Sequence, residues 1–108
     1  MYSIIGTTIK LTRGDSFYCT IALTKNGETY TPAEGDTIRF VMKQNICGEA
    51  LIEKAIPTDT MVLYIAPDDT KELKFGRYVY DLEMTYANGD VDTFINNANF
   101  HIMPEVAT

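Results

Sequence analysis

The chain has 108 residues, 45% of them hydrophobic, with nine basic and fifteen acidic side chains for a net charge of −6. That length is one domain with a single two-layer core, and the composition is that of a globular rather than a disordered protein. The negative charge has the wrong sign for gripping phosphate backbones, no apolar run reaches the length of a membrane span, and Met1-Tyr2-Ser3-Ile4-Ile5-Gly6 lacks the basic start and long apolar stretch of a signal peptide. The expectation is a protein made in a cytoplasm, with neither nucleic acid nor membrane as partner.

In chain order, Ile4 to Leu11 reads as a first strand with Ile5, Ile9 and Leu11 apolar. No charge precedes Lys10, and soluble proteins usually guard sheet edges with charge, proline or bulges. Tyr2, Ile4, Ile5 and Ile9 are therefore candidates for an assembly edge, open to a second copy of the chain or to another protein. The alternative is that this segment pairs only within its own sheet.

Arg13-Gly14-Asp15 follows, the tripeptide that adhesion ligands present to integrins. Here it precedes an alternating run in which Phe17, Cys19, Ile21 and Leu23 share one face and Ser16, Thr20 and Thr24 the other. That period of two is a half-buried strand, and Gly-Asp before it is turn chemistry. Lys25-Asn26-Gly27-Glu28 reads as a hairpin turn. Next come strands over Thr37 to Lys43 (Ile38, Phe40 and Met42 on one face), Leu51 to Ile56 and Met61 to Ile65. Cys47 falls in the loop between the first two of these, away from any strand facing Cys19, so two free thiols are expected.

Ala66 to Lys74 begins with proline and acids and ends with lysine, the polarity of a short helix near residues 67–74. Leu73 with Gly76-x-Tyr78 matches the tyrosine corner of immunoglobulin-like sandwiches, in which the hydroxyl bonds backbone upstream. From Tyr78 to Tyr86 the even positions are all apolar or aromatic, which is a strand. Asn88-Gly89 turns it back into a strand from Val91 to about Ile95, resumed at Ala98, Phe100 and Ile102 after Asn96-Asn97, a polar break that predicts a bulge. The fold class expected is all-β: one immunoglobulin-like antiparallel β-sandwich of seven to eight strands spanning 1–108. Phe17, Ile21, Phe40, Leu63, Tyr80, Leu82 and Phe100 are its expected core.

Chemistry is sparse. His101 sits between Phe100 and Ile102 with no nucleophile or metal partner implied by spacing, and reads as solvated. Asp68-Asp69, Asp81 with Glu83, and Asp90 with Asp92 fall on turns and polar strand faces rather than around a groove. Asn88, Asp90 and Asp92 share the alternate spacing of calcium loops but lack the downstream glutamate. Tyrosine is abundant and tryptophan absent, yet Tyr78 and Tyr80 lie on the apolar stripe. No catalytic, cofactor or metal residues are assigned, and the chain reads as a non-enzyme.

The order of the pieces is itself informative. "LTRGDSFYCTIAL", "GDTIRFVMK" and "APDDTKELKFGRYVYDLEMTYANGDVDTF" together resemble the immunoglobulin-like N-terminal domains of phage baseplate upper proteins and related small prophage structural proteins, over roughly Ile9 to Met103. The matching pieces are the Arg-Gly-Asp turn, Gly35 to Phe40, the Pro-x-Asp-Thr helix, and Gly76 to Leu82. The resemblance implies a virion part of baseplate, tail or head-fibre attachment. It would act by protein–protein assembly with other virion proteins or as a homo-oligomer, without catalysis or cofactor. The alternative is a carbohydrate- or surface-binding module of the same sandwich class.

Overall fold

The computed structural model describes residues 2–45 and 47–104. Ten strands and one helical turn follow along the chain: β1 (Tyr2–Ile5), β2 (Thr8–Thr12), β3 (Phe17–Thr20), β4 (Leu23–Lys25), β5 (Glu28–Tyr30), β6 (Thr37–Lys43), β7 (Ala50–Ile56), β8 (Val62–Ile65), α1 (Pro67–Thr70), β9 (Gly76–Thr85) and β10 (Val91–Met103). Six strands make one sheet in the order β1-β2-β10-β9-β6-β7, with β3-β8 and β4-β5 as two-stranded pieces. The result is the expected β-sandwich, with Phe17, Leu63 and Ile65 of the small sheet buried against Phe40, Tyr80, Leu82, Phe100 and Ile102 of the large one.

Two expected strands are each broken in two, which raises the count from seven or eight to ten. The N-terminal one folds at Gly6-Thr7 into a hairpin, so Ile4 rather than Ile5 lies opposite Ile9. The second breaks at Ile21-Ala22. The Ile21 amide donates to the Met61 carbonyl at 2.7 Å as the last link to β8, and the chain then leaves for β4. Ile21 is consequently only half-buried, though it packs on the core. One pairing is not antiparallel: β2 lies parallel to β10, joining the two ends of the chain. Helix α1 is four residues, not eight. The Asp69 carboxylate accepts from the Ala66 amide at 2.7 Å, and a further turn (Leu73 amide to Thr70 carbonyl, 3.0 Å) carries the chain toward β9.

The tyrosine corner is present: the Tyr78 hydroxyl donates to the Lys74 carbonyl at 2.6 Å. The two Asn-Gly turns differ. Asn26 and Gly27 both take positive φ (54° and 81°) between the paired residues Lys25 and Glu28, a two-residue hairpin. At the other turn only Gly89 is left-handed. Its amide bonds the Tyr86 carbonyl while the Tyr86 amide bonds Asp90, so the loop is longer. Register shifts between Thr93 and Ile95 and between Ile95 and Ala98, the second spanning Asn96-Asn97, show the expected bulge, held by the Asn97 amide on the Asp81 carboxylate at 2.6 Å.

Candidate functional site

Among the described residues β1 is the outermost strand of the six-stranded sheet, hydrogen-bonded on one side only, to β2. Its register sets Tyr2 opposite Leu11 and Ile4 opposite Ile9. Leu11 and Ile9 are buried, so the period of two puts Tyr2 and Ile4 on the inward face as well. Tyr2 meets Phe17 edge-on, ring centroids 4.7 Å apart. Yet Tyr2 and Ile4 are each 43% exposed. The facing strands leave β1 only partly covered, and the sandwich stays open beside it. A cavity of about 280 Å³ occupies that opening, lined among others by Ile4, Cys19, Ile21, Leu63, Tyr80 and Phe94. Above it, the Tyr80 hydroxyl donates to the Thr7 carbonyl, closing the β1–β2 turn onto the sheet.

Of the four candidate edge residues, Tyr2 and Ile4 therefore line the open side. Ile5 pairs through its backbone with Thr8, and its side chain lies outside the described part. Ile9 is not at the edge. Its strand is paired on both sides, with Ile4 and Phe100, and its side chain is core.

The Arg13-Gly14-Asp15 turn is engaged inward. The Asp15 amide bonds the Thr12 carbonyl at 3.1 Å, and the Gly14 amide bonds the Thr70 hydroxyl at 2.9 Å. The Arg13 guanidinium lies 4.2 Å over the Phe75 ring and donates to the Leu73 carbonyl at 3.3 Å. The tripeptide thus ties the start of β3 to the turn after α1. His101 sits half-exposed on the outer face of β10. Asp69 pairs with Lys54 at 2.8 Å, and Glu83 with Arg39 at 3.1 Å. In the β9–β10 loop the Asp90 amide bonds the Asn88 side chain and Asp92 accepts from Tyr86. Among the described residues no three His, Cys, Asp or Glu side chains gather as a metal site. Cys19 and Cys47 are free thiols, half-buried and exposed respectively, and burial pushes the Cys19 thiol up.

Two features carry more than their sequence signal. Asp36 is a buried carboxylate that accepts from the Tyr30 hydroxyl (2.7 Å), the Ala33 amide (2.9 Å) and the Ala87 amide (3.1 Å). The Tyr30 bond first, then that of Ala33, holds it below the ordinary carboxylate range, while Tyr30 itself is pushed up to about 12 by the same bond. Beside it Gly35, at φ 91°, would place any Cβ 2.8 Å from that of Ala87, which accounts for the Gly-Asp pair. The second is an exposed aromatic pair, Tyr18 with Tyr64, directly cross-strand on the outer face of the small sheet with centroids 4.6 Å apart. Alternation places Tyr18 outward, but nothing local announces its partner 46 residues on. The chain matches no family model, no curated protein and no solved structure.

Proposed function

We propose that this chain is a structural adaptor of a phage virion, in the baseplate, tail or head-fibre attachment, made in the host cytoplasm and assembled through strand β1. The observation that carries the reading is the edge itself: an uncharged outermost strand whose inward residues Tyr2 and Ile4 are half-exposed, Ile4 beside an apolar opening. Unpaired amides and carbonyls with adjoining apolar surface are what strand addition uses. The ordered resemblance of its motifs to the baseplate family supports the setting. Co-purification with proteins encoded beside it tests the proposal. Retention of a virion protein by the full chain, lost on Ile4→Lys, is expected. Equal retention by the variant sinks assembly through β1.

A second reading, a carbohydrate-binding module, is favoured by the Tyr18–Tyr64 pair, 57% and 40% exposed. The two rings pack on each other at 30°, so one face of each is already occupied. Glycan binding lost on Tyr18→Ala with Tyr64→Ala supports this reading, and absence of any glycan signal removes it.

A further inference from the structure

The outer face of the large sheet carries two cationic side chains, Lys10 and Arg77, in one row that leads toward the β1 edge. Lys10 on β2 is registered with His101 on β10, and His101 with Arg77 on β9, three adjacent strands in one line. Their sequence neighbours Ile9, Leu11, Phe100, Ile102 and Tyr78 are buried, so alternation turns all three outward. Ser3 of β1 is registered with Lys10, which places the next position of this row on the edge strand. Elsewhere on this face a cation has carboxylate partners, Arg39 standing between Glu53 and Glu83. Neither Lys10 nor Arg77 has an ion pair among the described residues. In a chain of net charge −6, this row therefore holds two cations without a carboxylate partner among the described residues.

Resting on the assembly reading above, we infer that the partner added to β1 is an extended segment of another protein in which apolar and acidic side chains alternate. A strand continuing the sheet past β1 has two faces. Its inward residues stand beside Tyr2 and Ile4 and cover the 280 Å³ opening, which calls for apolar side chains. Its outward residues extend the row of Lys10, His101 and Arg77. Lys10 lies two strand spacings away, roughly 10 Å, a distance a lysine and a glutamate span end to end. Charge complementarity therefore selects carboxylates on that face, and a basic or neutral strand loses them. A second copy of this chain offers its own β1, Tyr2 to Ile5, which has no acid to give.

The test uses two hexapeptide probes, one alternating glutamate with valine and one alternating lysine with valine, added to the full chain and followed by backbone amide NMR. The glutamate peptide should shift the amides of residues 2–5 and bind at least about tenfold more tightly than the lysine peptide. That preference should reverse in the double variant Lys10→Glu with Arg77→Glu, whose substitutions are on the surface and leave β1 intact. If the lysine peptide binds β1 as well as the glutamate peptide, the acidic partner is overturned while edge assembly stands. If neither peptide moves the β1 amides, both fall. A chain that sediments as a dimer dependent on Ile4 identifies a second copy as occupant, and overturns the foreign strand.

Discussion

The two edges of the six-stranded sheet solve the same problem in opposite ways. β7 has Glu53 on its outer face, bridged to Arg39, and Lys54 on its inward face, paired with Asp69 of α1. Lys54 is registered with buried Phe40, so a lysine points inward at the rim, and a register shift interrupts β6–β7 at Met42/Lys43. Inward charge, outward charge and a bulge are the three usual deterrents to edge pairing. β1 has none: at the equivalent inward positions it shows Tyr2 and Ile4. Both strands sit on one core and differ by a handful of side chains. The difference teaches that two unpaired edges of one sheet can differ in whether anything on them deters a further strand.

The comparison breaks most readily at the core both edges share. Leu82 lies mid-sheet on β9, paired with β6 on one side and β10 on the other. Leu82→Ala should cost about 2–5 kcal/mol and lower the melting temperature of the whole domain. Amide exchange should speed up in β1–β2 and in β6–β7 together, and release of one half alone would show two independent units. Next in size is the pH response of the Asp36 clasp, which anchors β6 on the guarded side. Asp36 is held below its ordinary value, so its stabilisation is present above about pH 4 and lost as pH falls through the lower folded value. Tyr30 is raised, so its share is present below pH 10 and lost as pH rises toward about 12. Melting temperature against pH should show both limbs, and Asp36→Asn should flatten the acid one. An unchanged acid limb would place the titrating group elsewhere.

The thiols sharpen the contrast, because each lies near one edge. Cys47 is exposed in the β6–β7 loop, whereas Cys19 lines the opening beside β1 and is shifted up by burial. At mildly alkaline pH an aromatic disulfide reagent should titrate Cys47 first and Cys19 more slowly. Occupation of β1 by a partner strand should slow Cys19 further and leave Cys47 unchanged; equal slowing of both would point to a contact elsewhere. The smallest effects on stability come from the edges themselves. Ile4→Lys on β1, and Glu53→Val with Arg39→Val on the opposite side, should each move stability by only about 0.5 kcal/mol. Light scattering should nevertheless separate them: under the assembly proposal the first should abolish partner association, while the second should create association that the parent lacks. No new association in the β7 variant would show that Lys54 and the bulge suffice as guards.

Much of this was legible in the chain because it depends on neighbours in sequence. Alternation marked the strands that carry the core, from Phe17 through Phe40 and Leu82 to Phe100, since one buried face imposes a period of two whatever the fold. The Arg-Gly-Asp turn, the tyrosine corner and the Asn96-Asn97 bulge were likewise readable from local backbone preference. The break at Ile21-Ala22 was not, because the alternating pattern runs straight through it and only the Met61 carbonyl, 40 positions away, decides where pairing stops. Gly6-Thr7 is too weak a turn signal beside a run of isoleucines, so the sequence does not separate Ile9, which lies on a strand paired on both sides, from the edge.

The sequence by itself determined that the N-terminal segment is uncharged, apolar and extended. Only the tertiary structure decided that it is the outermost strand, that its inward face is left only partly covered, and that Lys10, His101 and Arg77 fall into line beside it. Such a row joins residues 91 and 24 positions apart, and no local pattern encodes it, because register across a sheet is set by which strands become neighbours, and that follows from burying the whole core at once.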